Sequence, residues 1–279
     1  KIERIGKPLK DWDVNIYRGV LTGLNEAFII TTEKRDEILA RCKNKEERIR
    51  TEALIKPILR GRDIKRYYYE WAGLWVIGTF PALRLNIDDY PAIKKYFLDN
   101  FDIRQLEQSG KKYPELGFDA RKKTGNKWFE TQDQIAYYPE FEKEKIIFKA
   151  VGRNLTFSIV EPGTMVTAPA SFLTGSNLKY ILGFLCSSFT NYFVEKNADK
   201  TGAGDIMLNV QSFEKITLPP ITPANQSIVK QIEELVDKIL TAKKSNPHAD
   251  TSNWEKEIDR LVYQLYELTE EEIKIIEGE

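Results

Sequence analysis

The chain carries two cysteines and one histidine in 279 residues, a scarcity that removes whole classes of chemistry. Cys42 lies in a charged stretch and Cys186 in an apolar one, far apart in sequence. No disulfide framework or zinc knuckle is therefore expected, and a reducing, cytoplasmic setting is. His248 stands alone in the polar loop 245–250, which nearly excludes histidine triads, histidine–metal clusters and histidine acid–base mechanisms. A long apolar run is missing too. Residues 180–193 are interrupted by Ser187, Ser188, Thr190 and Asn191 and fall short of the roughly 20 residues that span a bilayer, so a buried helix is expected there and no membrane. The chain starts at Lys1 with neither Met nor an apolar signal segment, and reads as an excised piece of something longer.

An excess of one charge is also absent: 42 basic residues face 42 acidic ones, which taken alone argues against a nucleic-acid partner. The distribution argues the other way. Residues 1–66 hold 17 Lys and Arg against 11 Asp and Glu, a net +6, while residues 226–279 hold 7 against 13, a net −6. Such asymmetry lets one face meet an anionic polymer while the other faces solvent or protein.

What is present reads as an α+β chain. The pattern predicts helices over 33–41, started by Thr32, and over 46–58, with Pro57 near the end. Aromatic and β-branched runs predict strands over 67–71 and 74–80, and the first-turn proline of Asp89-Tyr-Pro91 opens another helix. Residues 109–126 read as a long exposed loop. Further strands are expected at 135–138, 145–149, 157–160, 165–168 and 216–218, a single buried helix over 177–195, and a flexible tract over 197–205.

The cluster Pro219-Pro-Ile-Thr-Pro223 marks the expected boundary between a mixed, strand-rich domain with interspersed helices, 1–222, and a C-terminal helical hairpin, 223–279. In that hairpin Ile228, Ile232, Leu235, Val236, Ile239 and Leu240 share one helical face, as do Ile258, Leu261, Val262, Leu265 and Leu268. Ser252 with Glu255, and Thr269 with Glu272, have the spacing of capping boxes.

Catalytic signatures are wanting. No Asn/Asp-Pro-Pro-aromatic turn of a base-flipping methyltransferase occurs, since Pro219-Pro220 lies between Leu218 and Ile221. The glycines at 19 and 23 lack the lysine and hydroxyl pair of a Walker loop. Asp63-Ile-Lys65 and Glu272-Ile-Lys274 have local spacing that a metal-dependent nuclease could use, but such triplets arise by chance in so charged a chain. The stretch Gly19–Phe28 reads as strand, turn and short strand, with glycine supplying turn angles and Asn25 able to bridge its own backbone.

Two stretches carry a resemblance. Gly19-Val-Leu-Thr-Gly-Leu-Asn-Glu-Ala-Phe28, followed by Leu54-Ile-Lys-Pro-Ile-Leu-Arg-Gly-Arg-Asp-Ile-Lys65, resembles the TaqI-like C-terminal specificity domain of N6-adenine methyltransferases and of type IIG or type I-like restriction-modification enzymes. Lys127-Trp-Phe-Glu-Thr-Gln132, residues 137–149, Tyr180-Ile-Leu-Gly-Phe-Leu-Cys-Ser187 and residues 257–269 extend it in order along essentially the whole chain. The chain departs from the family's Leu-Asn-Ser at Leu185-Cys-Ser187.

The resemblance implies sequence-specific recognition of double-stranded DNA by a non-catalytic piece. It places methyltransferase or nuclease domains upstream, in the same polypeptide or complex, and assigns S-adenosylmethionine and Mg2+ to that parent enzyme and no cofactor to this piece. Arg60, Arg62, Lys65 and Arg66 would contact phosphates, with Gly61 allowing close approach or ending a helix. Arg121, Lys122, Lys123, Asn126, Lys127 and Gln132, with Thr22 and Asn25 of the first motif, would supply groove contacts. Lys200 and Thr201 would add phosphate contacts. Trp128, Tyr137 and Tyr138 are expected in the core. Two other readings compete: an assembly or specificity subunit acting through its hairpin, and a nuclease built on Asp63 and Lys65.

Overall fold

The computed structural model describes residues 1–278. Eight strands build its centre: β1 (Val14–Arg18), β2 (Ile29–Thr31), β3 (Ile55–Leu59), β4 (Leu74–Ile77), β5 (Lys145–Phe148), β6 (Phe157–Val160), β7 (Met165–Val166) and β8 (Ser171–Gly175). They form two four-stranded sheets. The first, in the order β6-β5-β8-β1, is antiparallel throughout. The second, β7-β3-β4-β2, has one parallel pair, β7 with β3.

Strand alternation explains the layering. In β5 and β8, Ile146, Phe148 and Leu173 enter one core, while Ile147 and Phe172 point the opposite way and meet Ile58, Val76, Met165 and Val166 of the second sheet. The other face of the second sheet, with Ile30, Ile55 and Ile77, is covered by α1 (Thr32–Ala40), α2 (Lys45–Leu54) and α3 (Pro91–Asn100), through Ile38, Leu54, Ile93 and Phe97. The outer face of the first sheet is covered by α4 (Leu178–Leu185) and by the helical hairpin. The result is a helix–sheet–sheet–helix stack of mixed α+β class, as the sequence implies.

The hairpin consists of α6 (Gln226–Ser245) and α7 (Ser252–Leu265), with α5 (Ser188–Asn197) between α4 and the strands that follow. Val229, Ile232, Val236 and Ile239 of α6 and Ile258, Leu261, Val262 and Leu265 of α7 are buried. They share their core with α4, where the helices approach so closely that a β-carbon on Gly183 would lie 2.7 Å from the Ile232 Cγ2. The apolar stripe of the hairpin is thus an intramolecular face.

Several expectations need correction. Helix 46–58 is instead α2 followed by β3: Pro57 disfavours helical geometry at Lys56, and the chain passes into a strand at Ile55. Residues 67–71 are no strand, because Tyr67 adopts φ +68 and only Ile64 and Tyr69 form a bridge. Residues 135–138 are no strand either. Ile135 has φ +51, and a one-turn helix, Tyr138–Phe141, follows with Pro139 in its first turn.

The single helix expected over 177–195 breaks at Cys186 and Ser187, where the Ser187 hydroxyl accepts the Thr190 amide and starts α5. The loop 109–126 contains a small hairpin, Lys112–Tyr113 with Phe118–Asp119. The tract 197–205 is likewise ordered into strand Asp199–Lys200, which pairs with Ile206–Met207 and, through it, with Val151–Gly152. Residues 19–28 are not strand, turn and strand: Val20 makes one bridge to Thr167, and Asn25–Phe28 is a helical turn. The Thr269–Glu272 capping box is formed. The one at Ser252 is not, since α7 starts after Thr251, whose hydroxyl donates to Glu255 Oε1 at 2.7 Å.

Candidate nucleic-acid interface

The two sheets are stitched together where the chain leaves β1. The Gly19 amide donates to the Ala170 carbonyl at 2.8 Å and Val20 to Val166 at 2.7 Å. In return Ala168 donates to Val20 and Thr167 to Leu59, each at 2.9 Å. Gly19 is required by this crossing and not by a phosphate, because a β-carbon there would fall 2.6 Å from the Val166 carbonyl oxygen. The register then gathers strand ends from far-apart sequence. Arg18 lies opposite Ser171, Ser171 opposite Phe148, and Leu59 beside Val166. The residues that follow, Lys149 after β5 and the Arg60 turn after β3, therefore share this end with Arg18.

At this end the cations divide into tied and free. Arg60 is tied: its amide, Nε and Nη2 all donate to the Asp63 carboxylate, at 2.8, 2.9 and 2.7 Å. Burial of Asp63 disfavours its charge, yet the hydrogen bonds from the Arg60 side chain and backbone outweigh that and hold its pKa below the ordinary carboxylate value. Lys65 bends back to donate to the Arg62 carbonyl at 2.9 Å and lies 3.5 Å from Glu70. Arg66 turns away from the rim to an ion pair with Glu255. Gly61 opens a short 3-10 turn and ends no helix.

Arg62, by contrast, is exposed and makes no ion pair among the described residues. Arg18 is likewise exposed and without an ion pair there, and the half-buried Lys149 also makes none; its Cγ lies 3.6 Å from where a β-carbon on Gly61 would be, and its Nζ lies against Gly152.

A second element docks onto this end through the Thr22 turn. The Thr22 hydroxyl donates to Asn25 Oδ1 at 2.7 Å, and the Thr22 carbonyl accepts from the Gln132 amide at 3.2 Å. The Asp133 amide donates to Leu21 at 3.2 Å. At the centre of this docking is Arg121, which is buried rather than reaching for a groove. Its Nε and Nη2 donate to Leu106 at 2.8 and 2.6 Å, and its Nη1 to Thr22 and Glu130 at 3.0 and 2.7 Å. A further bond from Nη2 reaches Trp128 at 2.5 Å, and the guanidinium sits 4.9 Å from the Phe28 ring centroid. Burial lowers its pKa to about 10, which leaves it charged at neutral pH. The side chain is spent on four carbonyls, so Arg121 is removed from the set of groove contacts.

Asn126 is also internal to the loop, donating to Thr131 and Gln132 carbonyls and accepting from Gln134. Thr22 is buried. Lys127 donates to the Leu85 carbonyl at 3.2 Å. Lys122 and Lys123 are exposed without partners among the described residues, and the Gln132 side-chain amide makes no hydrogen bond there. Burial raises the Asp133 pKa, and the positive charges of Arg18 and Lys122 oppose that shift. The arrangement unites Arg18, Asn25, Arg62, Lys122, Gln132 and Lys149 on one end of the sheets.

Lys200 lines a groove of about 720 Å³ with Arg66 and Arg153, on the small sheet that Asp199–Lys200, Ile206–Met207 and Val151–Gly152 form. The Thr201 hydroxyl accepts the Asp205 amide at 3.0 Å and shapes the hairpin tip. Trp128 and Tyr137 are half-buried against the cores, and the Tyr137 hydroxyl donates to the Arg18 carbonyl at 2.9 Å.

Neither triplet builds a nuclease centre. Both Asp63 oxygens are occupied by Arg60, and Glu272 accepts from Lys1 and from the Thr269 amide. Sequence reasoning missed Arg18 and Lys149. Arg18 directly precedes the Gly19 motif and Lys149 ends the matching stretch 137–149, placements that could have pointed to them.

The class of protein is a specificity domain, shown by its sequence. The chain belongs to the TaqI-like C-terminal specificity domain family, whose sequence profile matches residues 56–218. It is 26% identical over 285 residues to the type II methyltransferase M.BstVI of Geobacillus stearothermophilus, covering 96% of this chain and 42% of that protein. The chain thus spans less than half the length of that relative. Among solved structures, the type IIL restriction-modification enzyme MmeI in complex with DNA shares the fold, with TM-score 0.59 at 12% identity over 98% of this chain and 37% of that one. The type IIG restriction endonuclease BpuSI gives TM-score 0.47 at 17% identity over 95% and 32%. Among the described residues, no helix is long and apolar enough to cross a membrane.

Proposed function

We propose that this chain is a target recognition domain that binds double-stranded DNA in a sequence-specific manner. The observation that carries the reading is the convergence of Arg18, Arg62, Lys149 and Lys122, which make no ion pair among the described residues, from four separate segments onto one end of the sheets that also carries Gln132. Unpaired cations contribute phosphate contacts and their counterion release, whereas paired ones such as Arg60 and Arg66 have already exchanged water for a carboxylate. Lys123 and Lys127 extend the same loop, and Lys200 in its groove, with Thr201 next to it in the chain, adds a phosphate contact. Family membership supports the reading, as does the kinship to a methyltransferase. On the same grounds the parent protein is a cytoplasmic restriction-modification enzyme whose N6-adenine methyltransferase or nuclease part lies upstream and takes the S-adenosylmethionine and Mg2+.

Fluorescence anisotropy on a random-sequence duplex, titrated with salt, tests the interface. The Arg18→Ala/Arg62→Ala/Lys149→Ala variant should flatten the slope of log affinity against log salt by up to about 2.7, close to 0.9 per phosphate contact. An unchanged slope in a folded variant removes this rim from the interface. The assembly reading finds no free apolar stripe to act through, since Leu261 and Leu265 are buried against the body of the chain.

A further inference from the structure

The geometry points to Gln132 as a specificity-determining residue that reads an adenine, an inference that rests on the DNA-recognition reading above. Every backbone group around it is fixed. Its amide donates to Thr22, its carbonyl accepts from Asn126 Nδ2 at 2.8 Å, and the next amide, Asp133, donates to Leu21. The side chain is laid against Gly23, where a β-carbon would come within 3.1 Å of the Gln132 Cβ and 3.0 Å of its Oε1. Gly23 has φ +79 as well, so both backbone angle and space demand glycine beneath the glutamine.

Under this turn lies Arg121, which binds the Thr22 carbonyl and the Glu130 carbonyl at once and so locks the two sides of the cradle together. What remains of Gln132 is a terminal amide with one donor face and one acceptor and no partner among the described residues. Asn126 and Gln134, the other amides of the loop, bond each other. A glutamine amide matches the N6 donor and N7 acceptor of adenine in the major groove with two simultaneous hydrogen bonds, and no other base offers that pair. Because its backbone is already fixed, only the Gln132 side chain is ordered on contact.

Selection from a randomised duplex pool tests this with the chain itself, comparing wild type, Gln132→Ala and Gln132→Glu, each checked by thermal melting. Because the amide is unbonded, the variants should melt with the wild type. The wild type should enrich a motif containing an A·T pair preferred about tenfold or more, and Gln132→Ala should lose the preference at that pair alone. Gln132→Glu should move it towards cytosine, whose N4 donates to a carboxylate. An alanine variant that enriches the same motif with the same preferences overturns the inference, as does a uniform loss across all sequences, which would make Gln132 a backbone contact. Failure of the wild type to enrich any motif would instead sink the DNA-recognition reading itself, and this inference with it.

Discussion

Arg66 of the basic segment and Glu255 of α7 form an ion pair across 189 residues of sequence, with side chains 34% and 19% exposed. It fastens the recognition sheets to the hairpin. The other Glu255 oxygen accepts the Thr251 hydroxyl, and one turn on, Asp259 accepts the Ser188 amide and hydroxyl at 2.7 and 2.8 Å. The cation that looks most like part of a DNA-binding run is thereby a joint to α7.

Replacing Glu255 with alanine strands Arg66 half-buried and frees the Thr251 hydroxyl. The expected cost is about 2 kcal/mol, read from urea unfolding. A double-mutant cycle with Arg66→Ala should return a coupling of about 1 kcal/mol, and additive single effects would show the pair to be inert.

Arg121→Met keeps much of the aliphatic volume but abandons four carbonyls at once. Leaving buried acceptors without donors should lower stability by about 3 kcal/mol or more. Lysine, with a single ammonium in place of the planar fork, should recover only part of the loss. A shift below about 0.5 kcal/mol in the unfolding free energy of Arg121→Met would contradict the role assigned to this side chain.

Asp63 predicts a pH dependence. Its pKa is lowered in the folded chain, so its contribution is fully present above the unfolded value near 4 and disappears as pH falls through the folded value. Asp63→Asn should be less stable than wild type by about 2 kcal/mol at neutral pH. The gap should close as the pH drops below about 4, in parallel chemical denaturations.

Much of this architecture is legible in the sequence, and the part that is not has a physical reason. The hairpin stripe is long and strictly periodic, so Ile232 and Leu261 announce their burial. The helix break at Cys186 and Ser187 hides inside an apolar run, where either one helix or two satisfies the same pattern. β1 and β8 are short, and their pairing with each other spans more than 150 residues of sequence. The free or tied state of a cation is least legible, because it depends on partners such as Asp63, Glu255 and the carbonyls around Arg121 that only the fold supplies.

The two thiols should separate cleanly. Burial pushes the Cys186 thiol up to about 12, and burial also raises that of the half-buried Cys42. A thiol reagent at pH 8 should modify Cys42 alone and slowly in the native chain, and both after denaturation. Rapid labelling of Cys186 in the folded state would contradict the packing of α4 against β6.

Amide hydrogen exchange with and without a DNA duplex at low salt tests the central claim most directly, because it maps the contact without altering a residue. Protection on binding should appear over residues 18–25, 60–62, 122–134 and around 149 and leave α6 and α7 unchanged. Protection confined to the hairpin helices, with the strand-end rim exchanging as in the free chain, would contradict the account.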